Sequence, residues 1–162
     1  MYPTEPEDKA LNLSPKGFAS RVYVRQLAPN QVIGNALATT VKLNGVLYDT
    51  LGEFDSAAYT FTPLYSGWYA IMAQIVWVLA AQTGDGRLTL ETVDGIVDIQ
   101  NSRGLIPAAR DFTQSINTIR HLDKGKLVKL IAWQNVGGGA NRSLYGSIGT
   151  ADFTWMCIHR LS

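Results

Sequence analysis

From Gly17 onward the chain carries the two-residue alternation of strands and almost none of the 3.6-residue spacing of helices. Val22 and Val24 alternate with Tyr23 and Arg25, which predicts a first strand over 18–26 that ends at the Ala28-Pro29-Asn30 turn. Val41–Leu43 and Val46–Tyr48 flank Asn44-Gly45, a pair suited to a tight hairpin because both turn positions take positive φ. A strand over 58–62 stops at Pro63, and a long one over 68–79 leads into Thr83-Gly84-Asp85-Gly86. Leu88 and Leu90 then alternate with Arg87, Thr89 and Glu91, predicting a strand over 87–93. Further strands are expected over 112–122, ending at Asp123-Lys124-Gly125, and over 127–133 and 153–161. No stretch combines helical spacing with a cap at both ends.

Two of these strands are apolar on both faces. Trp68, Ala70 and Met72 oppose Tyr69, Ile71 and Ala73, and Phe153 and Trp155 oppose Met156 and Ile158. A strand of this kind needs two partner layers. One is the core; the expected second is a neighbouring subunit, which makes Trp68, Ala70, Met72, Phe153 and Trp155 the candidate interface. Composition points the same way. Charged residues are 17 % of the chain, against roughly 25 % in soluble domains generally.

The net charge of +1 is spread without blocks, so no nucleic-acid contact is expected. Membrane insertion is not expected either: the longest apolar stretch, 68–81, contains Gln74 and is shorter than the ~20 residues a spanning helix requires. One cysteine, Cys157, excludes an internal disulfide framework. Among apolar neighbours and without an adjacent histidine, it reads as a small buried hydrophobe. His121 and His159 lie far apart in sequence, and neither has a second histidine within four residues. They read as strand-surface or interface residues, and no metal or cofactor is expected. Asp85, Asp94 and Asp98 do not follow a spaced calcium loop and read as solvated turn residues. Gly137-Gly138-Gly139 is followed by no Gly-Lys-Ser/Thr, so it reads as a loop rather than a phosphate cradle. No acid, base and nucleophile converge, and no catalytic residue is assigned.

The aromatic spacing in the middle of the chain is more specific. Asp49, Phe54, Phe61 and Gly67-Trp68-Tyr69 resemble the signature of the C1q globular domain. Leu43, Ile71 and Ala73 stand where that signature has other apolar or aromatic residues. Leu122–Val128, Ser143-Leu144-Tyr145 and Phe153–Ile158 are similar to the closing strands of the same family. The resemblance, to C1q and tumour-necrosis-factor domains, implies a ten-stranded antiparallel all-β jelly-roll sandwich over 17–162, preceded by an arm or linker over 1–16. It also implies homotrimers built on one face of a sheet.

The resulting expectation is a non-enzymatic homotrimeric recognition or structural module. Met1 without a signal peptide or collagen-like repeats suggests a phage or virus appendage, spike or capsid-decorating protein, made in the cytoplasm and ending on a virion. The alternative is a bacterial surface or secreted C1q-like adhesin, and a jelly-roll enzyme is the third reading. A host-surface glycan or protein receptor is the expected partner, besides the chain itself and a larger virion assembly. Counting reversals back from the C-terminus places the loops 62–66, 101–110 and 136–149 at one end, so Tyr65, Arg103, Arg110, Asn141 and Arg142 are the candidate receptor-binding residues.

Overall fold

The computed structural model describes residues 20–92 and 98–161, with backbone pairing alone for 98–103. The arm expected over 1–16, and Asp94, lie outside the described residues.

Thirteen strands run through the described residues: β1 (Arg21–Arg25), β2 (Gln31–Ile33), β3 (Thr39–Thr40), β4 (Gly45–Asp49), β5 (Phe54–Asp55), β6 (Thr60–Phe61), β7 (Gly67–Trp77), β8 (Gly84–Thr92), β9 (Asp98–Ile106), β10 (Phe112–Leu122), β11 (Val128–Val136), β12 (Arg142–Leu144) and β13 (Trp155–Arg160). Five of them have three residues or fewer, and these account for the excess over the ten expected.

The strands form two antiparallel sheets. In the first, β7 is the hub. It pairs along its whole length with β10 on one flank, and on the other with β13, which leads to β1 and β4. At its far end Trp77 meets Leu144 of β12, which carries β2. The second sheet runs β5-β6-β11-β8-β9, with β3 also on β11. The inward side chains of the two sheets interdigitate as in a sandwich. Val22, Val24, Ile71, Ile75 and Trp77 from the first sheet meet Phe61, Leu88, Leu90 and Leu130 from the second, all fully buried. A buried amide relay crosses the core: Trp77 Nε1 donates to Gln114 Oε1 (2.7 Å), and Gln114 Nε2 donates to the carbonyl of Gly86 (3.0 Å).

Three turns differ from their sequence reading. Asn44-Gly45 closes no hairpin: the Val41 amide bonds Leu130 in the second sheet, whereas β4 pairs with β1 in the first, so the chain changes sheets there. Gly45 is needed for proximity rather than for positive φ, since a Cβ would sit 2.8 Å from the Leu27 side chain. The segment before Gly86 and the Asp123-Lys124-Gly125 turn likewise join strands of different sheets. Asp85 lies within β8, opposite Leu105 and Asn135, and not in a turn.

The larger correction concerns β9. The sequence reading treats 101–110 as a loop, whereas Asp98–Ile106 is a nine-residue strand paired to β8. One missed strand reverses the end assignment of every loop before it. Tyr65 therefore sits at the C-terminal end of the sandwich, its ring 5.3 Å from the Arg160 guanidinium. The loops around Arg110 and Asn141 are at the other end, where Ala109 bonds Ala80.

Candidate functional site

In an antiparallel sheet, residues that face one another across strands share a face. The register of the first sheet therefore defines what its outer surface presents. One row runs Tyr48, Tyr23, Cys157, Met72, Asn117. The next runs Arg21, His159, Ala70, Ile119, and a third Arg25, Trp155, Gln74, Ser115. Trp68 and His121 face each other at the lower margin, their rings edge to face at 5.7 Å. Trp68 is 51 % exposed and Ile119 55 %. Ala70, Met72, Asn117, Thr118 and Ile119 line a shallow open depression of ≈ 640 Å³.

The aromatic part of this face is held in place. Tyr23 stacks on Trp155 with centroids 5.7 Å apart and planes 14° from parallel, and its other side meets Tyr48 at 5.8 Å. The Tyr23 hydroxyl donates to Asp152 (2.9 Å), which also receives Arg25 Nη1 at 2.6 Å. Burial works against the Asp152 charge, but the Arg25 and Tyr23 donors outweigh it and hold the carboxyl below its usual range. Asp152 is neutralised where it stands. The same burial, reinforced by Asp152, pushes the Tyr23 hydroxyl up to about 12, and burial beside Glu53 does the same for Tyr69.

A folded-state value above the unfolded one means that stability is complete below the unfolded value, near pH 10, and is lost as pH rises toward 12. The melting temperature is thus expected to fall across that window. Tyr23→Phe, which cannot ionise, is expected to flatten the fall when the two melts are compared at each pH.

At the sheet edge β4 presents Val46, Leu47 and Tyr48 in succession, each more than 40 % exposed. Among the described residues the sheet order stops there, at an apolar strand edge. Edges of this kind are usually blunted by charge, proline or cover.

Of the expected interface residues, Trp68, Ala70, Met72 and Trp155 share this face. Phe153 does not: it precedes β13, and its ring packs on Tyr145 at 5.3 Å. Tyr23, Tyr48 and Ile119 were not expected. The alternation in Arg21–Arg25 already marks Tyr23 as facing away from Val22 and Val24, but Tyr48 enters only through the β1–β4 pairing.

Cys157 does have an adjacent histidine, contrary to the sequence reading. Two residues apart on a strand is the same face, and His159 Nε2 lies 3.4 Å from Cys157 Sγ. The Tyr48 hydroxyl touches both, at 3.6 Å from the sulfur and 3.3 Å from Nε2. Burial and then the contact with Cys157 raise the Tyr48 pKa. Cys157 as a whole is 5 % exposed. Among the described residues, no group of three or more His, Cys, Asp or Glu stands close enough to hold a metal.

The expected receptor-binding residues do not form one site. Arg142 is 2 % exposed, its Nη1 donating to the Gln82 carbonyl (2.8 Å) and its Nη2 to that of Pro107 (3.4 Å). It ties loops together. Arg103 is in β9 opposite Arg87. Asn141 is exposed, but its Oδ1 accepts the Asn35 amide at 3.2 Å. Arg110 and Tyr65 are exposed at opposite ends.

Among solved structures, Eiger TNF from S. frugiperda matches with a TM-score of 0.61 at 10 % identity, covering 89 % of this chain and 93 % of that one. Murine APRIL matches in crystals at pH 5.0 and pH 8.5 with TM-scores of 0.63 and 0.60, at 12 % and 11 % identity. Each covers 89 % of this chain and all of the other. The fold is a C1q/TNF-like jelly roll. No family model matches the sequence, and no curated protein resembles it in sequence. The likeness is therefore one of architecture: this TNF-like sandwich carries its own side chains on a shared frame.

Proposed function

We propose that this TNF-like chain is a non-enzymatic recognition module that assembles as a homotrimer through the outer face of its first sheet. The observation that carries the reading is the composition of that face. Tyr23, Tyr48, Trp68, Met72, Ile119 and Trp155 stand on one side of five paired strands, and the acid beside them is neutralised by Arg25. Large exposed side chains gathered on one face, Tyr48, Trp68 and Ile119 among them, are characteristic of a surface that is covered. The family resemblance favours a second and third copy of the chain as the cover.

Sedimentation at micromolar concentration tests it: the expected mass is three times the 17.7 kDa of the chain, and a monomer overturns the reading. For the setting we keep a virion appendage, with a secreted or surface adhesin as the alternative. Antibody labelling of purified particles against whole cells separates the two.

A further inference from the structure

A cleft of ≈ 570 Å³ opens between the β1–β2 connection, the segment 39–44 and Tyr59. Small-ligand sites usually measure about 300–1,000 Å³. Its walls are fixed by side-chain to backbone bonds. Gln31, 7 % exposed, donates to the Thr40 carbonyl (2.7 Å) and accepts the Lys42 amide (2.8 Å), clamping two segments together. Asn30 Oδ1 accepts the Gly146 amide at 3.0 Å, and Asn44 Oδ1 accepts that of Leu27 at 2.8 Å.

Those two bonds decide what the cleft offers. A backbone N–H only donates, so each asparagine turns its oxygen to that N–H and its NH2 is left over. Among the described residues, the NH2 groups of Asn30 and Asn44, the Lys42 ammonium and the Tyr59 hydroxyl have no partner. Among the described residues, no carboxylate lines the cleft. The site is thus rich in donors and carries a positive charge, which suits a ligand bringing acceptors and a negative charge. Gln26, 2 % exposed, also lines the cleft, and its buried Oε1 has no hydrogen bond among the described residues. Leu27, Pro29 and Val32 add apolar surface for a ring to lie on.

From this donor set we infer that the cleft binds a carboxylate-bearing saccharide, the acid group meeting Lys42 and the asparagine NH2 groups. The inference names a partner for the proposed recognition role and needs no self-association, so sugar binding and trimer mass fail independently.

The test is saturation-transfer NMR and titration calorimetry on the full chain, with 3′-sialyllactose and a glucuronate disaccharide as probes and lactose and acetate as controls. At least one acidic saccharide is expected to bind, with lactose and acetate weaker by about tenfold or more, the scale of one charge-assisted contact. Asn30→Asp with Asn44→Asp keeps both backbone-accepting oxygens and replaces the donors by repelling carboxylates. It is expected to abolish binding while the melting temperature holds. Should that variant not fold, Lys42→Gln, which alters only an exposed side chain, is expected to weaken binding about tenfold. The inference is overturned if neither acidic probe binds at millimolar concentration, if lactose or acetate binds as well, or if the folded variants bind like the parent chain.

Discussion

Met72→Arg is expected to leave the chain folded and to convert the proposed trimer into monomers. Met72 sits at the centre of the outer face, between Cys157 and Asn117, with its side chain turned away from the core. In the isolated chain the guanidinium reaches water, so the melting temperature of the monomer should change little. In an assembly the same group is desolvated, and among the residues facing it across β13 and β10 no carboxylate is available. An unpaired buried charge costs roughly 3–5 kcal/mol, which is a factor of about 10² to 4 × 10³ in association. Sedimentation and thermal melts of the same sample are the measurement. A variant that stays trimeric removes this face from the interface.

Arg142→Ala is expected to destabilise the fold strongly and to say nothing about a receptor. The Arg142 guanidinium holds the carbonyls of Gln82 and Pro107, and burial lowers its pKa without an acid to compensate. Truncation leaves those carbonyls unpaired and opens a void where a fully buried long side chain stood. The expected cost is about 2–4 kcal/mol, a fall of roughly 5–15 °C in melting temperature for a domain of this size. Arg110→Ala, exposed at the same end, is the control and should melt like the parent. If Arg142→Ala also melts like the parent, the loop staple assigned to this residue is wrong.

These expectations differ in how far they were legible. The facing of β7 could be read directly, because Trp68, Ala70 and Met72 alternate with Tyr69, Ile71 and Ala73, and the burial along the strand follows that alternation. The extent of β10 was legible for the same reason. β9 was missed because Gln100–Gly104 is a polar run without period; it is a strand through the backbone pairing that β8 offers it. Arg142 was taken for a surface residue because a long cation usually is. Nothing local in Asn141-Arg142-Ser143 foretells that two carbonyls from distant loops converge on it. The cleft was illegible for a related reason. Asn30 and Asn44 have no pattern in common, and their amides are turned by contacts with Gly146 and Leu27.

The sequence by itself determined that this is an all-β sandwich, which residues of its long strands point inward, and that β7 is apolar on both sides. Side-chain alternation is a local property of the extended chain, and so it survives in the order of residues. Only the tertiary structure decided which strands are neighbours, and with that how Tyr23, Tyr48, Cys157 and Trp155 gather on one face. It also decided which loops share an end, because each additional strand reverses the direction of the chain and a single one, β9, inverts the count. Long-range pairing closes through backbone hydrogen bonds, which every residue but proline offers alike, so it leaves little trace in the residues it joins.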